Sequence, residues 1–346
     1  MIKKMQKTLI AIAFSFLSFL SFSATTTTAN AACSVHIGDF DWDSANIHTA
    51  IGSFILEHGY GCDVEVTKGS TNPILAALID NQIDVIFEHW TDNNVALIDP
   101  ELESGNLVFL GVNTPASEQA FFVDRATSEA HGITSVDDLK RPGIKDLFTD
   151  PENPSKGRLT SCISGWTCYT INLVKLKEYG LDEMYTNFDP GSGGALDAAI
   201  MGASTKGQPI VTYYWTPTSL MGKPEVDLVR LTEPAYDKDC WDDMMVVVED
   251  IKANGPDVYK PSCACEYKDM SLTKLASGKF AADNADIIDF VEAYTIPTAE
   301  VNDMLAYYVD ESGGDMEATA MHYLENSSNW ESWVSSDVAA KVKKAL

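Results

Sequence analysis

Basic residues are scarce in this sequence: 24 Lys and Arg stand against 51 Asp and Glu over 346 residues, for a formal net charge of −27. A chain this acidic repels nucleic acid and anionic lipid, and it mildly favours cationic ligands. Most of the charge is expected to form a solvated surface that keeps the protein in solution. The composition therefore predicts no nucleic-acid partner.

Long apolar runs are few as well. The most conspicuous one, residues 9–22, follows three lysines and precedes a Thr-rich stretch that ends in "ANAAC". This order is typical of a secretory signal peptide, predicted here for residues 1–31 with cleavage after Ala31, and the run is too short to span a bilayer comfortably. Lipid attachment at Cys33 is the less favoured alternative, because Asn30 stands where a lipoprotein signal usually has Leu. The mature chain is predicted to be an exported, periplasmic monomer with a net charge of −30.

Histidine is also rare, and the six histidines are scattered along the chain. No Ser-His-Asp or Cys-His arrangement stands out, so nucleophilic catalysis is disfavoured. The sequence predicts no enzyme activity, no cofactor and no metal site. An exported thiol oxidoreductase, or a hydrolase acting on methylated amines, is the alternative from a different functional class.

The chain has seven cysteines, and export makes disulfides the expected state of most of them, because disulfides persist in oxidising compartments. Cys162 and Cys168 are the favoured pair, and Cys33 with Cys62 is a second candidate. The odd number leaves one cysteine over, and the pairing of the others stays open. Zinc at Cys263-x-Cys265 is disfavoured, because no second pair with ligand-like spacing lies nearby.

Strand and helix patterns alternate from Cys33 onward. The first five elements are predicted at residues 33–40, 46–58, 62–69, 70–82 and 83–90. A βαβαβ unit with short connections implies a parallel sheet covered by helices, with ligands at the carboxyl ends of the strands. A second α/β unit follows, and several helices end the chain.

Four tryptophans occur at chain turns, two in each half. Trp42 and Trp90 follow predicted strands, Trp215 ends the strand in "VTYYWTP", and Trp166 precedes a helix in "SCISGWTCYT". Rings that converge on a quaternary ammonium group form a cation–π cage, and three or four rings contribute roughly 3–8 kcal/mol. The pattern therefore predicts a cage in a cleft between the two halves.

The helix that begins near Thr167 supplies a second recognition element. Unpaired backbone N–H groups and the positive dipole end make a helix N-terminus suitable for an anion. Glu88 is expected on the same strand face as Trp90, where it and Asp92 would be solvated and could add negative charge near a bound cation. Trp241, Trp330 and Trp333 are expected in the core, and only one of Tyr213 and Tyr214 can face the cleft.

"LTSCISGWTC", "GQPIVTYYWTPTSL" and "LTEPAYDKDCW" resemble the glycine betaine/proline betaine substrate-binding proteins of ABC importers, and the resemblance covers essentially the whole mature chain. It implies an α/β, two-lobe type II periplasmic binding-protein fold with a hinge and a ligand cleft between the lobes. Trp90, Trp166 and Trp215 would then form the aromatic box, with Trp42 as an added wall. The backbone N–H groups of Thr167 and Cys168 would hold a carboxylate.

The resemblance also implies a ligand and a partner. Some members place a His four residues after the tryptophan at the Trp90 position, as a further partner of the ligand's carboxylate. This chain has Asn94 at that position, and Asn94 is the corresponding candidate for ligand binding. The ligand is expected to be glycine betaine first, with trimethylamine N-oxide, choline, proline betaine and dimethylsulfoniopropionate as alternatives, and the partner an inner-membrane ABC permease. Signalling to a membrane receptor is an alternative to transport, because it would use the same two lobes. The first lobe is predicted at 34–123 together with 237–346, and the second lobe at 124–236.

Overall fold

A nine-stranded mixed β-sheet organises the chain, for which a computed structural model describes residues 33–346. The predicted signal peptide, residues 1–31, lies outside the described residues. The strands are β1 (Ser34–Phe40), β2 (Asp63–Gly69), β3 (Val85–His89), β4 (Leu107–Asp124), β5 (Gly157–Thr160), β6 (Tyr185–Phe188), β7 (Val211–Thr216), β8 (Leu228–Arg230) and β9 (Met270–Ser277).

Thirteen α-helices cover this sheet within the described residues. They are α1 (Asp43–Ile55), α2 (Thr71–Ile79), α3 (Val95–Ser104), α4 (Arg125–His131), α5 (Ile144–Leu147), α6 (Thr167–Glu178), α7 (Gly193–Lys206), α8 (Lys238–Asn254), α9 (Gly278–Asp283), α10 (Ala285–Ala293), α11 (Thr298–Asp310), α12 (Met316–Asn326) and α13 (Ser336–Ala345). A π-helical turn, Leu56–Tyr60, extends α1.

The predicted βαβαβ unit forms the first part of the sheet. Strand β1 lies between β2 and β3 and is parallel to both. All five residues of β3 are buried, as expected for a strand covered on both faces. Because the strands are parallel, the residues that follow β1 and β3 emerge at one edge of the sheet, and these residues include Trp42 and Trp90.

The second α/β unit repeats this arrangement with β5 parallel to both β6 and β7. Strand β4, 18 residues long, joins the two units. Its first part, up to Ser117, pairs antiparallel with β9, and its second part, from Glu118, pairs antiparallel with β7. We call the unit of β1, β2, β3 and β9 the first lobe and the unit of β5, β6, β7 and β8 the second lobe.

Core packing bears on where the chain returns to the first lobe. Trp241 and Met244 on α8, and Tyr267 beyond it, pack in the same buried cluster as Phe121, on the second part of β4, and Leu159 of the second lobe. The chain then re-enters the first lobe through β9. This packing favours a return near residue 269, and we propose that boundary in place of the expected one at residue 237.

Three disulfides join parts of the described chain: Cys33 to Cys62, Cys162 to Cys168, and Cys240 to Cys263. The first two match the pairs favoured from the sequence. The third uses a cysteine of the disfavoured zinc motif, and Cys265 remains unpaired and buried. Among residues 33–346, no group of three or more His, Cys, Asp or Glu side chains is placed to hold a metal ion.

The bulky aromatic residues assigned to the core lie there. Trp241, Trp330 and Trp333 are at most 4% exposed. Across residues 33–346, no helix combines the length and the apolar character that a membrane crossing requires.

Candidate functional site

A cavity of about 430 Å³, including its open mouth, lies at the meeting point of the two lobes. Aromatic side chains dominate its wall, as is common in small-molecule sites. Residues from both lobes line it: Phe40, Trp42, Thr71, His89, Trp90, Asn93, Asn94, Trp166, Thr167, Cys168, Tyr213 and Trp215. All four predicted tryptophans are therefore brought together, although they are far apart in sequence.

The Trp166 ring stands nearly at right angles to two other indole rings of the cavity. The Trp166 ring lies 5.2 Å from the Trp42 ring at 77° and 5.2 Å from the Trp215 ring at 84°. Phe40, which also lines the cavity, stacks on Trp42 at 4.7 Å and 9°. Perpendicular rings form adjacent walls of a box, the arrangement that presents several ring faces to one cation.

Glu88 is not solvated, and that expectation from the sequence was wrong. The side chain is buried behind the cavity wall, because β3 is covered by α1, and it is not a lining residue. Its Oε1 accepts hydrogen bonds from Trp42 Nε1 at 2.6 Å and Trp90 Nε1 at 3.1 Å. Glu88 thus holds two indole rings in place, and burial raises its pKa from 4.5 to about 7.

Polar contacts connect the lobes beside the cage. The Trp166 indole Nε1 donates to Asp41 Oδ1 at 2.5 Å, and Thr167 Oγ1 donates to Asn94 Oδ1 at 2.8 Å. Asp41 and Asn94 belong to the first lobe, and Trp166 and Thr167 to the second. Asn94 therefore uses its carbonyl oxygen to bind the second lobe.

The helix end predicted to hold an anion also lies at the cavity. Helix α6 begins at Thr167, and no side chain caps it, so the N–H groups of Thr167 and Cys168 keep their capacity to bind a ligand. The Cys162–Cys168 bridge ties this turn to the preceding loop. Thr167 and Cys168 both line the cavity, next to Trp166.

Of the two adjacent tyrosines, Tyr213 lines the cavity, while Tyr214 is buried on the other strand face and donates to Asp197 at 2.6 Å. The sequence analysis missed His89, which lines the cavity at 1% exposure. Its place one residue before Trp90 at a strand end was the only local signal. Asp92, expected to be solvated, is half-buried and lies outside the cavity wall.

Comparison with known proteins gives a consistent match. The OpuAC family, described as the substrate-binding domain of ABC-type glycine betaine transport system, matches residues 34–326. The glycine betaine-binding periplasmic protein OusX of Dickeya dadantii is 32% identical over 126 residues, which cover 36% of this chain and 37% of OusX. The chain therefore spans less than half the length of this curated relative.

Two further likenesses extend over most of the chain. The trimethylamine N-oxide-binding protein of Pelagibacter ubique is 22% identical over 77% of this chain and 87% of that protein. A glycine betaine/L-proline-binding protein structure from Borrelia burgdorferi has a TM-score of 0.68 at 18% identity, over 89% of this chain and 99% of that one. The structural likeness confirms the predicted two-lobe α/β fold of type II periplasmic binding proteins.

Proposed function

The chain belongs to the family of substrate-binding domains of ABC-type glycine betaine transport systems, and from that premise we propose that it captures a methylated cationic osmolyte in its tryptophan cage. Glycine betaine is the first choice of ligand. The observation that carries the proposal is the group of three indoles in one cavity, in which the Trp166 ring stands nearly perpendicular to the Trp42 ring of the other lobe and to the Trp215 ring.

The cationic end of the ligand would occupy the box. A trimethylammonium group has no N–H donor, so its burial among rings leaves no hydrogen bond unmade. Three or four rings contribute roughly 3–8 kcal/mol, compared with about 8 kcal/mol for a micromolar affinity. The remainder would come from the anionic end at the α6 N-terminus, where the N–H groups of Thr167 and Cys168 would bind the carboxylate.

The ligands other than glycine betaine follow the same chemistry. Trimethylamine N-oxide, choline, proline betaine and dimethylsulfoniopropionate each present methyl or methylene groups on a cationic centre. Trimethylamine N-oxide has support of its own, because a relative that matches 77% of this chain is named for binding it. Asn94, at the position where some members of the family resembled have a His, also suits a ligand with a smaller anionic group.

The proposal includes transport rather than catalysis. Closure of the lobes over the ligand would present it to an ABC permease in the inner membrane, with the protein acting as a monomer in the periplasm. A lipid anchor on Cys33 is disfavoured, because its sulfur is bonded to Cys62. Thiol oxidoreductase activity is also disfavoured, because Cys162 and Cys168 are at most 5% exposed and thiol exchange needs access.

Calorimetric titration of the mature protein tests the proposal. Glycine betaine, trimethylamine N-oxide, choline and dimethylsulfoniopropionate would be compared on the wild type, on Trp166→Ala, and on the control Tyr307→Ala. Tyr307 stacks on His322 on the α11–α12 surface, outside the cage. Tyr307→Ala therefore removes one aromatic ring from the protein but none from the site. Micromolar binding of one ligand, lost in Trp166→Ala alone, would support the cage, and no binding of any ligand would refute it.

A further inference from the structure

The indole N–H groups of the cage differ in the lobe that supplies their acceptor. Trp42 Nε1 and Trp90 Nε1 both donate to Glu88, which belongs to the same lobe as these two rings. Trp166 Nε1 donates instead to Asp41 Oδ1 of the opposite lobe, at 2.5 Å. Of these three walls of the cage, the Trp166 ring is therefore the one that is held by a hydrogen bond across the cleft.

Asp41 lies in the turn between β1 and α1, close to the start of α7 in the second lobe. A Cβ on Gly193, the first residue of α7, would lie 3.4 Å from the Trp166 ring and 3.9 Å from the carbonyl oxygen of Asp41. The ring of Trp42, the next residue in the turn, lies 5.2 Å from the Trp166 ring. The turn, the indole ring and the helix start therefore pack together, although Asp41 itself is exposed to solvent.

The position of Trp166 makes this hydrogen bond depend on how the lobes are arranged. The side chain is only 5% exposed, and a buried N–H group without an acceptor is unfavourable. Separation of the lobes would take the ring away from Asp41 and return its N–H group to water. Because a hydrogen bond to a charged acceptor is stronger than one between neutral groups, the contact favours the closed arrangement over an open one.

We propose that Asp41 is a positioning residue that holds Trp166 in the cage when the lobes close, and that it thereby sets how long a ligand stays bound. This inference rests on the proposed function. Asp41 is not among the described residues that line the cavity, so it acts on the ligand through Trp166 and not by contact. Its removal should therefore speed dissociation, and by the same factor for every ligand that the cage accepts.

Two substitutions of Asp41 test the inference, with stopped-flow tryptophan fluorescence as the measure of association and dissociation rates. The ligands are glycine betaine and tetramethylammonium, which has the cationic end alone. Asp41→Ala removes the acceptor, and both ligands should dissociate from it about 5- to 20-fold faster than from wild type. Asp41→Asn keeps an acceptor oxygen without the charge, and dissociation should be at most about threefold faster. Both variants lose the same charge near the cleft, so any decrease in the association rate should be equal in the two.

Lys223→Met is the matched control, because it removes a contact between the lobes that lies away from the cage. Lys223, between β7 and β8, lies 2.6 Å from Asp310 at the end of α11, and α11 packs in the same core as β1. Neither residue lines the cavity, and an ion pair at the surface contributes little. Dissociation from Lys223→Met should stay within about twofold of the wild type. A rate as fast as that of Asp41→Ala would mean that any contact between the lobes has this effect, and would overturn the inference.

Three other results distinguish the possible failures. Unequal factors for the two ligands in Asp41→Ala would mean that Asp41 contacts the ligand, and unchanged dissociation would mean that its bond to Trp166 does not hold the closed form. Lower resistance of ligand-free Asp41→Ala to urea, compared with wild type, would indicate a merely structural role. Wild-type protein that binds neither ligand would refute the proposed function itself.

A second measurement observes the hydrogen bond itself by NMR of the indole N–H groups. The resonance of Trp166 is identified by its loss from the spectrum of Trp166→Phe. Addition of glycine betaine to the wild-type protein should slow the exchange of this proton with water by about tenfold or more, because the carboxylate of Asp41 accepts it in the closed form. In Asp41→Ala the proton should continue to exchange fast with ligand bound. Equal protection in Asp41→Ala and wild type would contradict the inference.

Discussion

Replacing Glu88 by Gln is expected to stabilise the unliganded protein at pH 8 and to weaken ligand binding at the same pH. The carboxylate is buried, and one of its oxygens accepts from the Nε1 atoms of Trp42 and Trp90. A Gln side chain keeps a carbonyl oxygen for these two donors but carries no charge. The variant therefore separates the charge of Glu88 from its hydrogen bonds.

The size of the stability effect follows from the pKa of Glu88, which burial raises from 4.5 to about 7. At 1.36 kcal/mol per pH unit, this difference of roughly 2.5 units corresponds to about 3 kcal/mol. Between these two pKa values the folded protein holds more protons than the unfolded chain. The stabilisation by the Glu88 proton is therefore complete below pH 4.5 and is lost as the pH rises through about 7.

The effect on binding has the opposite sign. An ionised Glu88 behind two walls of the box attracts a cation in it, by about 2 kcal/mol for charges about 7 Å apart at an effective dielectric constant of about 20. Glu88→Gln should therefore bind glycine betaine at least about tenfold more weakly than wild type at pH 8. At pH 5, where Glu88 is protonated, the two proteins should bind alike.

Urea denaturation and calorimetric titration at pH 5 and pH 8 measure both effects. Glu103→Gln, on the exposed surface of α3, is the control for the loss of one acidic charge. If Glu88→Gln were less stable than wild type at pH 8, the ionised carboxylate would not be the unfavourable group that its burial implies. Equal affinities of Glu88→Gln and wild type at pH 8 would show that its charge does not act on the ligand.

Three further changes test other parts of the structure. Gly165→Ala would place a Cβ 2.5 Å from Ser70 Oγ across the two lobes; calorimetry should show affinity reduced about tenfold or more, and Ser70→Gly in the same chain should restore it. In the wild-type protein the buried Lys175 ammonium lies 2.6 Å from a carboxylate oxygen of Glu233. Glu233→Gln removes the negative charge of this pair, and urea denaturation should show a loss of about 3–5 kcal/mol in the free energy of unfolding. Cys162→Ser opens the bridge at the start of α6, and the same assay should show a loss of about 2 kcal/mol in the free energy of unfolding. Little change in that free energy would mean that packing alone holds the loop.

The local patterns of the sequence were enough to predict the α/β class, the first βαβαβ unit and the positions of the four cage tryptophans. Each of these depends on short-range features: the period of the apolar residues, turn residues, and the rule that parallel strands end at one edge of a sheet. Trp42 and Trp90 follow β1 and β3 for that reason, and both line the cavity. The Cys162–Cys168 pairing could be predicted because the two residues are close in the chain.

What the sequence left open depends on pairings between distant segments. Strand β9 inserts between β3 and β4 from more than 150 residues further along the chain, and no local period specifies that neighbour. Glu88 could not be recognised as buried without knowing that α1 covers it. The sequence by itself determined which residue types stand at the strand ends and helix starts. Only the tertiary structure decided that Glu88 fixes the indoles and that Asn94 joins the two lobes through Thr167, because both functions arise from hydrogen bonds whose partners folding brings together.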